Sequence, residues 1–171
     1  MPTGNVLLLG KNADIRLATG FITVSAGIDG GLAWPSLTYD PDTDEEATWS
    51  FPIPTNFASA FVAEVFYDLA SVQSGVKKIE FNLSIMAMTP GTDTGMETAS
   101  FDTANNSIIT LASDQAADDP LVESTALTND DSAAAEDLMI LRLQRNGTDA
   151  TNDTATGDVR VPSILLKYTT I

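Results

Sequence analysis

A strict alternation of apolar and polar side chains in residues 79–85 constrains the fold more than any other feature of the sequence. The segment reads IEFNLSI, so every odd position is apolar and every even position is polar. Successive side chains of a β-strand point to opposite faces of a sheet, whereas a helix would spread these apolar residues around its circumference. The pattern predicts a strand with one buried face and one wet face.

The alternation recurs along the chain, and helical patterns are few. Residues 47–53 alternate up to a proline, and residues 61–69 keep apolar side chains at every odd position. Residues 138–143 and 159–168 are typical of further strands, with polar loops between them. We therefore predict an all-β protein: an antiparallel β-sandwich of jelly-roll type with long polar loops and an N-terminal arm.

The sequence contains no cysteine and no histidine, and this excludes much of enzyme chemistry. Thiolate nucleophiles, Ser-His-Asp triads, imidazole bases and the usual zinc sites all require one of these residues. Catalysis would fall to carboxylates such as Glu64 and Glu80, and a glycosidase needs two of them beside a sugar-binding cleft. Most acids lie in loop-like segments, so we expect no enzymatic activity and no cofactor.

The chain is strongly acidic, with 24 acidic and 8 basic residues and a formal net charge of −16. Nucleic acids and anionic membrane surfaces are bound mainly through Lys and Arg, so we expect neither as a partner. Between residues 89 and 137 no basic residue offsets the acids. We interpret this tract as solvent-facing loops that join short strands at residues 108–111 and 121–127.

Targeting signals are missing from the sequence pattern. No segment is apolar enough for a transmembrane helix, and the first residues lack the basic region and the long apolar run of a signal peptide. We expect synthesis in a cytoplasm, with any export by lysis or assembly.

The acidic run DPDTDEE places Asp40, Asp42 and Asp44 at every second position, as at the opening of a calcium loop. An EF-hand then needs glycine at its sixth position and glutamate at its twelfth, which are Glu45 and Phe51 here. The match fails. The three aspartates stay weak candidates for a looser Ca²⁺ or Mg²⁺ site, and the alternative is a solvated polar loop.

Two arginines lie three residues apart near the end of one predicted strand. Arg142 and Arg145 could form a small positive patch that docks on an acidic partner, or each could pair with the chain's own acids, and we favour ion pairing. The Asn146-Gly147 dipeptide that follows predicts a tight turn in which glycine supplies a positive φ.

Three stretches of the sequence carry a family resemblance. They are the acidic loop and core strand of residues 44–54, the strand pair of residues 60–68 and 75–83, and the closing hairpin of residues 142–168. Together they resemble the jelly-roll virion proteins of tailed bacteriophages, which include capsid decoration (cement) proteins and head- or tail-fibre domains. Residues 42–171 would form the jelly-roll domain.

The resemblance implies a structural virion protein. Such a protein would be made in the host cytoplasm, would bind the major capsid protein on the capsid exterior as a homotrimer, and would stabilise the shell. The partly apolar second face of residues 61–69, with Val62 and Phe66, would suit the trimer interface.

Residues 1–41 lie outside the resemblance and have two interpretations. They could form an arm that attaches to the capsid or to a neighbouring subunit, or two ordinary strands of the same sandwich. Deleting residues 1–33 should, on the arm interpretation, release the protein from particles and leave a folded trimer. The attachment residues would then be Val6, Leu7, Leu8, Leu9, Ile15, Leu17, Phe21 and Ile22.

Two other functions stay open. The protein could be a head- or tail-fibre or tail component. Alternatively, it could be a carbohydrate-binding module that recognises host glycans, in which case an exposed Trp34 would be the residue to test, because Trp49 belongs to an inward-facing alternation.

Overall fold

The computed structural model describes residues 2–15, 23–25, 35–96 and 98–171. Within these residues the chain forms eleven β-strands, one 3₁₀ turn at Gly10–Asn12 and no α-helix. The strands are β1 (Thr3–Leu9), β2 (Asp14–Ile15), β3 (Thr23–Ser25), β4 (Ser36–Tyr39), β5 (Asp44–Pro52), β6 (Phe57–Leu69), β7 (Lys78–Met88), β8 (Asn105–Thr110), β9 (Leu121–Leu127), β10 (Leu138–Asn146) and β11 (Val159–Thr170).

The strands form two antiparallel sheets that pack face to face. The six-stranded sheet has the order β3-β4-β11-β6-β9, with β1 also paired to β11, and the five-stranded sheet has the order β2-β5-β10-β7-β8. The inward side chains of the two sheets form one hydrophobic core. The predicted all-β sandwich of jelly-roll type is confirmed.

The core follows the two-residue periodicity predicted from the sequence. In β7 the side chains of Ile79, Phe81, Leu83 and Ile85 are completely buried. Trp49 points inward from β5, and its Nε1 donates a hydrogen bond to the carbonyl oxygen of Leu9 at 2.9 Å. The odd residues of β6 are likewise buried, from Phe61 to Leu69.

The first strand belongs to the sandwich. β1 pairs with β11 in an unbroken register from Thr3 opposite Thr169 to Leu9 opposite Ser163. Leu8 is only 6% exposed and is part of the core. Of the two interpretations of this segment, β1 thus fits the ordinary strand. Deleting residues 1–33 would remove a paired strand and a core side chain, so we expect the remaining chain to be destabilised.

The other proposed attachment residues lie in different environments. Val6 and Leu9 are half-buried, whereas Leu7 is 58% exposed. Ile15 pairs with Ala47 at the edge of the five-stranded sheet. Leu17, Phe21 and Ile22 lie outside the described residues, as does Trp34.

A buried ion pair ties the last loop to the core. Arg145 points inward from β10, is completely buried, and donates from Nε and Nη2 to the two carboxylate oxygens of Asp153 at 2.9 and 2.8 Å. The remaining N–H groups of its guanidinium donate to the carbonyl oxygens of Tyr39, Ala155 and Gly157 at 2.9 to 3.2 Å. All five donors are thus satisfied.

This arrangement bears on the predicted basic patch. Residues three apart in a strand point to opposite faces, so Arg142 lies on the outward face of the sheet and Arg145 in the core. The two therefore share no patch, and each pairs with an acid of the chain, Glu46 and Asp153 respectively.

Gly147 is required for a reason different from the predicted one. It is not among the residues with positive φ. A β-carbon there would lie 2.6 Å from the carbonyl oxygen of Thr43 and 2.8 Å from that of Pro41, so only glycine lets the two loops approach this closely.

Candidate functional site

The outward face of the five-stranded sheet, which we call the polar face, aligns four polar side chains in one row. Cross-strand pairing places Glu46 of β5 beside Gln144 of β10, Gln144 beside Asn82 of β7, and Asn82 beside Asn106 of β8. We call these four residues the amide row. With strands about 4.8 Å apart the row is roughly 14 Å long.

The two central amides of this row are unpartnered. The side chains of Asn82 and Gln144 make no hydrogen bond to any described residue, and the Oδ1 atom of Asn82 is buried. A buried polar atom without a partner costs free energy, so such atoms mark places where water or a ligand is expected to bind. Both side chains are only half-buried, and a ligand can reach them.

Arg142 lies next to the amide row and is held on three sides. Its Nη1 lies 3.4 Å from a carboxylate oxygen of Glu46, and its Nη2 donates to Oγ of Ser84 at 3.0 Å. The ring of Phe101, from the loop between β7 and β8, lies 4.4 Å from the guanidinium carbon. The Nε atom is buried and has no partner among the described residues.

The polar face is recessed, which the sequence did not predict. The alternation in residues 79–85 predicted one wet face, yet Glu80 is 3% exposed and Ser84 is completely buried. Ser84 lies beneath the Arg142 side chain and its Phe101 cover, and Glu80 lies beside the loop after β10. The prediction was wrong because two loops from distant parts of the chain border this face.

Glu80 lies at one end of the polar face in an acidic environment. Its two carboxylate oxygens accept hydrogen bonds from Asn146 at 2.9 Å and from Asn106 at 3.4 Å. Burial raises the pKa of Glu80, the hydrogen bond from Asn146 opposes this rise, and the nearby charges of Asp149 and Asp153 add to it.

The pKa of Asp149 is shifted in the opposite direction to that of Glu80. The backbone N–H groups of Thr151 and Asn152 donate to its carboxylate and lower the pKa of Asp149, and a hydrogen bond shared with Glu80 lowers it further. In this pair Glu80 is the carboxyl that holds the proton more tightly.

The raised pKa of Glu80 predicts a pH-dependent stability. Because the folded protein binds this proton more tightly than the unfolded chain, the stabilisation is fully present below the usual glutamate pKa of about 4.3 and is lost as the pH rises through the raised value. Glu80→Gln, which stays neutral and can still accept from Asn146, should therefore raise the thermal midpoint near neutral pH. The gain should shrink below about pH 4.

Thermal unfolding followed by circular dichroism at both pH values tests this expectation. Glu64→Gln is a matched control, since Glu64 is ion-paired with Lys167 on the opposite face and should show no gain. A lower midpoint for Glu80→Gln than for the unmodified protein near neutral pH would contradict the interpretation.

An open cleft of about 450 Å³ extends the polar face beyond Arg142. Met86 and Met88 of β7 line it together with residues of the loops after β7 and before β10. Its carboxylates stabilise these loops, because Asp93, Asp131 and Asp137 each accept a hydrogen bond from a backbone N–H group. The cleft thus gives a long ligand room to continue past the amide row.

The weak metal candidates are engaged in loop hydrogen bonds. Asp40 accepts the N–H of Asp42 at 2.7 Å, and Asp44 accepts the N–H and the hydroxyl of Thr148 at 3.0 and 2.9 Å. Among the described residues no group of three acidic side chains could hold a metal ion. A cation site at these aspartates stays a prediction.

The two residues predicted for a subunit interface lie far from the polar face. Val62 and Phe66 point outward from β6, on the other sheet of the sandwich, and Phe66 is 37% exposed. The structure thus separates this apolar surface from the amide row by the full thickness of the sandwich.

Sequence reasoning missed Phe101 and the amide row. The alternation in β7 could have indicated Asn82, and that in β10 Gln144. No local signal places Phe101 over Arg142, because that contact depends on the path of a long loop.

The part of the chain that the structure describes also contains no helix of the length and hydropathy needed to cross a bilayer.

Comparison with known proteins gives matches at the level of structure alone. No family model matches the sequence, and no curated sequence does either. A family 35 carbohydrate-binding module from Clostridium thermocellum has a TM-score of 0.51 at 11% identity, over 95% of this chain and 97% of that one. A CBM35 from Cellvibrio japonicus has a TM-score of 0.50 at 13% identity, over 95% and 92%.

A third neighbour is part of a larger enzyme. The GH26-CBM35 β-(1,4)-mannanase of Podospora anserina has a TM-score of 0.52 at 12% identity, over 98% of this chain and 28% of that one. Because all of these identities are low, the likenesses concern the fold. The chain has a β-sandwich fold similar to that of carbohydrate-binding modules.

Proposed function

We propose that the protein is a non-catalytic glycan-binding module and that a saccharide chain lies along the amide row of the polar face. The observation that carries this proposal is the pair of neighbouring amides, Asn82 and Gln144, which have no hydrogen-bond partner among the described residues. They lie in the middle of a recessed surface that is long enough for an extended ligand.

The chemistry of this surface suits a saccharide. Sugar hydroxyls both donate and accept hydrogen bonds, and an amide offers one acceptor and two donors in a single plane. Arg142 adds a donor beside the row, and Phe101 adds an aromatic ring at its border.

The polar face favours neutral saccharides over anionic ones. Glu46 already neutralises Arg142, and Glu80, Asp44 and Asp149 lie at the same end of the face. The whole chain has a formal charge of −16, so a uronate or sulfated polymer would be repelled. The carbohydrate-binding neighbours in fold support the proposal, although at 11–13% identity they contribute only the scaffold.

The two carboxylates that the sequence offered as catalytic candidates do not form a glycosidase pair. Glu64 lies on the outward face of the six-stranded sheet, where it pairs with Lys167, and Glu80 lies on the polar face. The two candidates for catalysis are therefore on opposite sides of the sandwich and cannot flank one glycosidic bond. The virion role expected from the sequence resemblance stays a prediction, and glycan binding requires neither a capsid nor a trimer.

Replacing either unpartnered amide should weaken binding while leaving the fold intact. We expect the protein to be retarded in affinity electrophoresis by at least one neutral polysaccharide from a panel that also contains polygalacturonate. Asn82→Ala and Gln144→Ala should each weaken binding by roughly three- to tenfold, the effect of one lost hydrogen bond. Because neither amide bonds to another described residue, the unfolding midpoints should be unchanged.

Asn5→Ala provides the matched control. Asn5 is an exposed amide on the outward face of the six-stranded sheet, so its loss should not change the retardation. Retention by no polysaccharide, or equal weakening by Asn5→Ala and Asn82→Ala, would refute the proposed site.

A further inference from the structure

The outward face of the six-stranded sheet carries an ordered apolar surface. Pairing among β1, β11, β6 and β9 aligns three rows, in which Leu9, Ser163, Phe66 and Val122 form the first. The second row contains Leu7 and Leu165 followed by Glu64 and Ser124, and the third contains Asn5 and Lys167 followed by Val62 and Ala126. We call the following residues the apolar face: Leu7, Val62, Phe66, Val122, Ala126 and Leu165.

These side chains are accessible. Leu7 is 58%, Val122 54% and Phe66 37% exposed, which places three of the large exposed hydrophobic side chains on one surface. Contiguous apolar patches on a soluble protein usually mark an interaction site.

The apolar face is also close to electrically neutral, in contrast to the strongly acidic chain as a whole. Its central charges are Glu64 and Lys167, which pair with each other. At its border Arg160 pairs with Asp68 and Asp118. In a chain of net charge −16, a surface whose named charges are two cations and three acids carries little of the repulsion that would otherwise oppose contact between two copies.

We propose that the apolar face is the interface of a homodimer in which a second copy packs face to face about a two-fold axis. A two-fold interface brings the same patch of both subunits together, so it must be complementary to itself. The apolar face meets this requirement, because each copy contributes the same apolar side chains and one central residue of each sign, and Glu64 of one copy can pair with Lys167 of the other.

The area of the apolar face determines how stable the dimer is expected to be. Four strands about 4.8 Å apart, over about seven residues of 3.3 Å each, give a surface roughly 19 Å by 23 Å, which is small for a stable interface. The dimer should therefore dissociate on dilution. Because the rest of each copy is strongly acidic, added salt should screen the long-range repulsion and strengthen the dimer.

This inference is independent of the proposed glycan binding. If both hold, the dimer would place its two polar faces on opposite outer sides, because the polar and apolar faces are the two outward faces of one sandwich. Such a dimer would link two saccharide chains rather than bind one chain twice.

Sedimentation equilibrium of the full chain without glycan tests the dimer. We expect a mass that rises toward twice the monomer mass with increasing protein concentration, and a dissociation constant at least threefold lower at about 0.5 M NaCl than at about 0.02 M. Val122→Glu should abolish the rise, because it would place two like charges in a desolvated contact.

Val76→Glu is the matched control, since Val76 is also exposed, at 64%, but lies in the loop before β7 and outside the apolar face. It adds the same charge and should leave the dimer intact, and the unfolding midpoints of both variants should match that of the unmodified protein. A monomer at every concentration, a trimer, or equal effects of the two variants would overturn the proposal.

Discussion

Replacing Arg145 with methionine should lower the free energy of unfolding by about 3–5 kcal/mol, a large fraction of the total stability of an ordinary domain. The substitution leaves the Asp153 carboxylate buried and unpaired. It also removes the donors to the carbonyl oxygens of Tyr39, Ala155 and Gly157. Urea unfolding followed by tryptophan fluorescence measures the loss.

Arg145→Lys should restore only part of this stability. A lysine ammonium has three donors on a flexible stem, whereas the guanidinium uses five donors in one plane. Arg160→Met is the matched control, because Arg160 is also ion-paired but lies partly exposed at the surface, where such pairs contribute at most about 1 kcal/mol. Equal losses for Arg145→Met and Arg160→Met would contradict the assignment of Arg145 as a core residue.

Deleting residues 1–9 should unfold the protein or destabilise it severely. The deletion removes the entire pairing of β1 with β11 and the core side chain of Leu8, and it leaves Nε1 of the buried Trp49 without its acceptor. Loss of a buried leucine alone costs about 2–5 kcal/mol, and an orphaned buried donor costs a further 1–3 kcal/mol.

Two single substitutions distinguish a core strand from a detachable arm. Leu8→Ala should cost about 2–5 kcal/mol, because the side chain is in the core. Leu7→Ala, one residue away on the apolar face, should cost less than about 0.5 kcal/mol at protein concentrations where the chain is monomeric. If residues 1–9 were instead a detachable arm, the deletion and both substitutions would leave the midpoint unchanged.

Replacing Arg145 and deleting residues 1–9 should also affect the candidate site. Arg145 holds the loop after β10, and that loop supplies Asp149 and Asn152 at the end of the polar face. β1 supports Trp49, which lies in β5 beside the strand that carries Gln144. A variant that removes Arg145 or β1 should therefore lose glycan binding together with stability, whereas Gln144→Ala should weaken binding and leave stability unchanged.

Strand positions and their inward faces could be predicted from local pattern. The alternation in β5, β6 and β7 identified the inward-facing apolar residues correctly, since the direction of every second side chain is a property of the strand itself. The acidic tract between residues 89 and 137 also contains the two predicted short strands, β8 and β9. Its acids are not all solvent-facing, however, since Asp137 is buried and its carboxylate accepts the N–H of Ala134.

The errors concern contacts between distant segments. Arg142 and Arg145 are neighbours in sequence, yet one pairs with Glu46 on the surface and the other with Asp153 in the core. The two-residue period of a strand is enough to place these two side chains on opposite faces, because they lie three residues apart. Nothing in the sequence near Ser84, by contrast, indicates that Phe101 and Arg142 bury it, because the cover comes from other segments.

The sequence by itself determined the fold class, the inward faces of the strands and the exclusion of thiol and imidazole chemistry. Each of these depends on residue type or on a two-residue period, which are local properties. Tertiary structure alone decided that β1 belongs to the core, that the polar face is recessed, and that Asn82 and Gln144 meet there without partners. These features depend on strand register and loop path, which are fixed only when segments far apart in the chain pack together.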